Sequence, residues 1–396
     1  MGLIGVNIKK GVMMKNNYEF WNSYLDNLLI RIDKLLCEKS HVYCDFHIHS
    51  DYSADSNQSL EQIIDRALKL NFDIISITDH DSVKVYDELY NYLKDNKIDK
   101  PIIVPGVEFT IHDKEYGSQF HILQTMINPK DVDLLSDILY QETACKRRAK
   151  KQFERLKYNL GIQYFIKKYN MNFSMEGYEK YLNTCPRKIY EYNSIMHYLM
   201  IEFKKNNISN WDILEKVKEW NLKDKCIIRR QLKIKAYDKY KEKYRNITDS
   251  DNNFRFFHNL LAVRGADDDF YSDFPCMGDL SVNSFGELQL ESLNDKSITV
   301  FAHPSEDKLY LLKKLKKKNN NVCGMELNKR CLYKDIDSFY KVQKELNMIK
   351  LVGSDLHDID DLLLYSDMSF YKIRGDEIKK IMEKYKKYRE ERKEQA

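Results

Sequence analysis

His47 and His49 stand one residue apart at the end of an apolar run, Cys44-Asp45-Phe46-His47-Ile48-His49-Ser50. In a strand, alternate side chains share a face, so both imidazoles can project from the strand's carboxyl end and grip one metal ion. A His-x-His pair also arises by chance, and by itself carries little information. The rest of the chain adds to it, because apolar, β-branched-rich runs recur and nearly every one ends in His, Asp or Glu. Ile74-Ile75-Ser76-Ile77-Thr78 ends in Asp79-His80-Asp81, and Ile102-Ile103-Val104-Pro105-Gly106-Val107 leads to Glu108. His121 heads Ile122-Leu123; Ile298 to Ala302 ends in His303-Pro304; and Ile349 to Gly353 leads to Ser354-Asp355-Leu356-His357. Mixed imidazole and carboxylate donors suit zinc, manganese or iron(II). Histidines outside these runs, such as His41, His112, His197 and His258, read as ordinary polar residues.

These side chains need elements to hold them. The apolar runs, with Cys323-Gly324-Met325-Glu326-Leu327-Asn328 added, make seven strands, the third as Ile102 to Phe109 and the fourth beginning at His121. Helical spacing places Trp21, Leu25, Leu28, Ile32 and Leu36 on one stripe over residues 18 to 38, and residues 1 to 17 read as a loose leader. A further helix from about Ser59 to Leu70 carries Leu60, Ile63, Ile64, Ala67 and Leu68 on one face; another reaches about Asn96, and the last runs from about Asp376 to Ala396 with Ile378, Ile381, Met382 and Tyr385 inward. Short apolar strands alternating with helices imply a parallel sheet covered on both faces, and seven of them favour a closed barrel. In such barrels chemistry sits at the carboxyl ends of the strands, where these ligand-type residues fall.

The 396 residues, 43% of them hydrophobic, suffice for one large barrel with insertions, and a net charge of +4 indicates neither a nucleic-acid nor a membrane partner. The eight cysteines are dispersed without a Cys-x-x-Cys pair, which argues against a disulfide scaffold or cysteine-type zinc site. With no uncharged apolar run of about 20 residues, the expected setting is the cytoplasm. The charge is unevenly spread. Between Lys146 and Ile247 there are 26 Lys plus Arg and 11 Asp plus Glu, a difference of +15, so the remainder sums to −11. This stretch is also rich in Tyr, Phe and Trp, which at helical spacing serve either as a core or as base-stacking platforms.

Taken together and in order, His47-x-His49, Asp55, Thr78-Asp79-His80, Gly106-Val107-Glu108, His121, His303-Pro304 and Gly353-Ser354-Asp355-x-His357 resemble the motif set of the polymerase and histidinol phosphatase (PHP) superfamily. The match covers about residues 42 to 127 and 296 to 370. It implies an α/β fold, a distorted (β/α)7 TIM-like barrel, here with a large basic helical insertion between strands 4 and 5. It also implies three metal sites: His47, His49, Glu108 and Asp355 at the first; Glu108 as a bridge with His121 and His303 at the second; Asp55, His80 and His357 at the third. Asp51 rivals Asp55, but the family places this ligand five or six residues after the second histidine. Asp79 and Asp81 read instead as groups that orient imidazoles or cap the next helix.

Two or three divalent ions (Mn2+, Zn2+ or Fe2+) so held lower the pKa of a bridging water and receive phosphoryl oxygens, making Glu108 and Asp355 catalytic as well as metal-binding. Arg330, after the sixth strand, is a candidate catalytic and substrate-binding residue that clamps phosphate, or else a solvated surface arginine. Arg187, in Cys185-Pro186-Arg187-Lys188, is a weaker substrate-binding candidate by loose similarity to a phosphate-binding motif in related enzymes. The implied organisation is an N-terminal extension (1–40), a first barrel part (41–130), a helical insertion or cap (131–295), a second barrel part (296–375) and a charged C-terminal helix (376–396). The expected function is metal-dependent hydrolysis of phosphate esters on nucleotides or single-stranded nucleic-acid ends. Alternatives are a small-metabolite phosphatase of the histidinol-phosphatase type and a nucleic-acid-binding protein with a vestigial site.

Overall fold

A computed structural model of the chain describes residues 2–53, 56–96, 98–113, 118–158, 160–184, 192–209, 212, 288–293, 297–305, 309–319, 321–331, 336–358 and 361–395. The chain divides into two units, Met1–Glu142 with Gly286–Ala396, and Thr143–Phe285.

The first unit is an α/β structure around one nearly closed, barrel-like sheet. Its strands are β1 (His41–Ile48), β2 (Ile74–Ile77), β3 (Ile102–Asp113), β4 (Ser118–Thr125), β5 (Ile298–Phe301), β6 (Val322–Asn328), β7 (Ile349–Gly353) and β8 (Lys372–Arg374). The order is β7-β6-β5-β4-β3-β2-β1-β8. Main-chain bonds just beyond β7 bring its end back to β1: Asp355 N–H donates to His47 O and His49 N–H donates to Leu356 O, both at 2.9 Å. The short β8 pairs antiparallel with the start of β1.

The sheet is not all parallel, as the alternation of strands and helices had implied. β4 runs antiparallel to both β3 and β5. The cause is local. β3 continues through Thr110-Ile111-His112-Asp113, so that only residues 114–117 separate it from β4, and a connection that short can only fold back; a parallel return needs a crossover of a dozen residues or more. The reversal sets all of β4 beside Gly106 to Asp113 of β3, with His121 opposite Thr110.

Among the described residues the helices are α1 (Gly2–Glu38), α2 (Leu60–Lys69), α3 (Val85–Asp95), α4 (Val132–Tyr158), α5 (Leu160–Tyr169), α6 (Met175–Thr184), α7 (Tyr192–Lys205), α8 (Leu309–Lys318), α9 (Ile336–Glu345) and α10 (Gly375–Gln395). α1 starts at Gly2, where a loose leader was expected, and its stripe Trp21, Leu25, Leu28, Ile32 and Leu36 is buried. Tyr24 Oη donates to Ile103 O at 2.8 Å, pinning α1 to β3. α2 begins with a capping box between Ser59 and Gln62 and buries Leu60, Ile63, Ile64 and Ala67, but Leu68, expected on that face, is 48% exposed. α10 buries Ile378, Ile381, Met382 and Tyr385, and Lys386 reaches Asp33 of α1 at 3.2 Å. Among the described residues no helix is long and apolar enough to cross a membrane.

The second unit has its own core, built on Phe153, Phe165, Phe173, Tyr178, Tyr198 and Phe203. The Phe153 and Phe173 rings stack at 4.5 Å, and Tyr178 stacks on Phe153 at 5.6 Å. These aromatic residues of the basic stretch are therefore interior, and their first contribution is burial of apolar area.

Candidate metal centre

Alternation along β1 sends Cys44, Phe46 and Ile48 to one face and Asp45, His47 and His49 to the other. The register then gathers the remaining motif residues at one end of the barrel. His80, just past β2, forms a bridge with Glu108 on β3. His303 lies two residues beyond β5, and Asp355 and His357 lie just beyond β7.

Glu108 is at the middle of the cluster and fully buried. Its Oε2 is 3.1 Å from His47 Nε2, 3.2 Å from His49 Nε2 and 3.1 Å from His80 Nδ1. Its Oε1 is 3.0 Å from both His121 Nδ1 and His303 Nε2, which are 3.1 Å from each other. Asp355 Oδ1 closes the first set, 3.3 Å from His47 Nε2 and 3.1 Å from His49 Nε2. Among the described residues three groups place their donor atoms within 4.8 Å of one another: His47, His49, Glu108 and Asp355; His80, Glu108 and His121; and His49, His80 and His357. The structure thus brings together eight of the nine ligand candidates; the ninth, Asp55, lies outside the described residues, as does Arg187. Arg330 is at the same rim, donating from Nε to Asp355 O at 2.8 Å and pairing with Asp361 at 3.1 Å.

The electrostatics are those of a site made for cations. Burial opposes charge on His47, yet Glu108, Glu326 and Asp355 outweigh it and raise its imidazolium well above the ordinary value. Burial likewise opposes charge on Glu108 and Asp355, and the surrounding imidazoles still hold both carboxylates below their usual range. His121 goes the other way: burial lowers it, and the Glu108 carboxylate does not compensate fully. The donor set fits divalent ions. His47 and His49 point their Nε2 atoms at each other across 3.0 Å, and Glu108 Oε2 is buried there without a well-aligned hydrogen bond. A proton satisfies one such pair of lone pairs at a time, whereas a cation accepts them all.

Supporting residues surround the ligand candidates, and Glu326, Asp45 and Ser53 among them carried little signal in the sequence. Glu326, in β6, contacts His47 Nδ1 at 3.0 Å and is fully buried. Asp45 accepts from His47 N–H, Ser354 N–H and Tyr365 Oη at 3.2, 3.0 and 2.8 Å, and burial raises its carboxyl to about 6. Ser53 Oγ contacts His49 Nδ1 at 2.9 Å and accepts from His80 N–H at 2.8 Å. Asp79 accepts from Ser50 N–H and Oγ at 2.6 and 2.7 Å, fixing the loop after β1. The available clue was an acidic residue, Glu326 or Asp45, inside an otherwise apolar strand.

A sequence model of the PHP domain matches residues 45–220. The chain carries a PHP domain. That match begins at the aspartate before His47 and takes in every motif residue of β1 to β4. Among solved structures, this chain is similar to a protein assigned as a metal-dependent phosphoesterase from Bifidobacterium adolescentis, at 13% identity over 79% of this chain and 87% of that one, with a TM-score of 0.48. It is also similar to an amidohydrolase from Chromobacterium violaceum, solved with bound sulfate and no metal, at 13% identity over 84% of this chain and 98% of that one, with a TM-score of 0.47. No curated protein matches the sequence.

Proposed function

We propose that this PHP protein hydrolyses phosphate esters, with nucleotides or nucleic-acid ends as its substrates. The observation that carries this reading is the division of labour in Glu108: one carboxylate oxygen faces His47, His49 and His80, and the other faces His121 and His303. In this reading His47, His49, Glu108 and Asp355 hold one divalent ion, Glu108, His121 and His303 a second, and His80 and His357, with Asp55, a third. Bound there, such ions supply Lewis acidity toward phosphoryl oxygens and lower the pKa of a coordinated water.

The chain's own groups do the rest. Buried Glu108 and half-buried Asp355 keep anionic charge in place, so ion uptake meets prepaid electrostatics in place of a reorganising solvent. Arg330, 37% exposed and tethered through Asp355 O and Asp361, presents a guanidinium at the rim where a phosphate oxygen enters. The basic stretch from 146 to 247 favours polyanionic substrates, and Arg187 adds a phosphate contact there. A small-metabolite phosphatase is the second reading, favoured by the burial of Phe153, Phe173, Tyr178 and Tyr198, which removes those rings as stacking platforms for bases. A substrate panel with added manganese decides between them, spanning nucleotides, short oligonucleotides and small phosphomonoesters. Turnover confined to the small esters moves the assignment to the second reading; no turnover of any of the three sinks both.

A further inference from the structure

Glu326 holds two ligand candidates from behind while Glu108 faces them from the front. His47 Nδ1 lies 3.0 and 3.1 Å from the two oxygens of Glu326, and the His303 backbone N–H donates to Glu326 Oε2 at 2.6 Å. On the opposite side, His47 Nε2 is 3.1 Å from Glu108 Oε2 and His303 Nε2 is 3.0 Å from Glu108 Oε1. The two rings lie face to face, 5.6 Å between centroids and 22° between planes. Two imidazoles are thus clamped between two buried carboxylates, and the two histidines are the ones assigned to different ions.

Each contact has a specific consequence. A carboxylate against Nδ1 makes that nitrogen the proton carrier of neutral His47 and leaves the Nε2 lone pair for the centre. His303 has φ of 27°, in the left-handed region that a residue with a side chain rarely adopts, so its backbone must be held. Glu326 Oε2 holds it. Asn328 Nδ2 donates to Glu326 Oε1 at 2.8 Å and fixes the carboxylate plane. Glu326 therefore accepts from three donors with two oxygens and has no need to donate.

We infer that Glu326 is a positioning residue that sets the His47 ring and the His303 backbone together, and so tunes both ions joined by Glu108; this rests on the metal-centre reading proposed above. Glu326→Gln keeps the shape, but an amide has one acceptor oxygen and turns its NH2 toward a donor, so at least one of the three contacts is lost. Asn328→Ala leaves Glu326 in place and loosens its orientation, and serves where the first variant does not fold.

The test is calorimetric titration of the metal-free full chain with Mn2+, beside the thermal midpoint of the metal-free protein and the visible spectrum after Co2+ loading. The expected result for Glu326→Gln is a loss of affinity of roughly 10–100-fold at two sites together, with an altered Co2+ spectrum and a metal-free midpoint close to wild type. Asn328→Ala shows the same pattern at smaller size. Wild-type Mn2+ affinity in either folded variant, or a lowered midpoint with unchanged affinity, overturns the inference and leaves the metal centre standing. Loss at a single site also overturns it, since it confines Glu326 to one histidine. A wild-type chain that takes up no Mn2+ overturns the metal centre and this inference together.

Discussion

A Cβ on Gly353 would stand 2.0 Å from Glu326 Oε1 and 2.5 Å from His47 Cβ. The last residue of β7 is side-chain-free because a carboxylate from β6 and an imidazole from β1 meet in that space. Gly353→Ala is expected to cost about 1–3 kcal/mol through overpacking and to weaken metal uptake as well. Gly324→Ala is the comparison: its Cβ would meet Ile349 Cγ1 at 2.6 Å and Val300 at 2.9 Å, apolar neighbours that hold no ligand. Denaturant unfolding should find both variants destabilised, and metal analysis should find the deficit in Gly353→Ala alone. Equal metal content in the two would detach Gly353 from the centre.

Glu108 is expected to be the least replaceable residue of the cluster. Glu108→Gln preserves size and removes negative charge from both halves of the site, so turnover should fall by at least on the order of 100-fold with the circular dichroism spectrum unchanged. His357→Ala should retain part of the activity, because His357 joins only the group with His49 and His80. A Glu108→Gln enzyme with most of its turnover would refute the bridging role.

Metal uptake should release protons. In the metal-free chain the His47 imidazolium is stabilised well above its ordinary value by Glu108, Glu326 and Asp355 against the cost of burial, so near neutral pH the site is partly filled by protons. Ligation needs the neutral ring. The sign is fixed: a raised folded pKa means the proton-held arrangement is stable below the unfolded value near 6.5 and is lost as pH rises through the folded value, while ion binding strengthens over that same rise. Calorimetry of Mn2+ binding in buffers of different ionisation enthalpy should show net proton release and weaker affinity at pH 6 than at pH 8. Binding without proton release would mean that His47 is neutral in the metal-free state.

How much of this could be read beforehand varied with the physics involved. Strands such as Ile74–Ile77 and Ile298–Phe301 are legible because every residue is buried and the run is apolar but for Ser76 and Thr299. The direction of β4 was not, because it depends on the four-residue link 114–117, and the polar extension Thr110-Ile111-His112-Asp113 does not look like buried strand. β8 is three residues of charged-apolar-charged sequence, below what periodicity can resolve. Residues that touch substrate or ions belong to a small set of types, so the clustered histidines and Glu108 stood out. Residues that act by touching those, such as Glu326 and Asp45, are marked in the sequence only as acids inside apolar strands, and what they touch requires the fold.

Salt should reveal what the basic stretch does. Its excess of +15 stands beside a remainder of −11, and the described part carries exposed Lys146, Arg147, Lys150 and Lys151 on α4, where the spacing of four aligns Lys146 with Lys150 and Arg147 with Lys151. With Phe153, Phe173, Tyr178 and Tyr198 committed to the core, electrostatics rather than stacking is what these residues offer a polyanion. Each phosphate neutralised on a single strand contributes a slope of roughly −0.7 to the dependence of log affinity on log salt, and a small phosphodiester can contribute one at most. kcat/KM for a short oligonucleotide is therefore expected to fall steeply between low and physiological salt, while that for a small generic diester barely moves. Neutralising the four α4 cations together should flatten the oligonucleotide slope and leave the small-ester rate unchanged. Equal slopes for the two substrates in the wild-type enzyme would make the basic stretch scaffolding and return the assignment to a phosphatase of small metabolites.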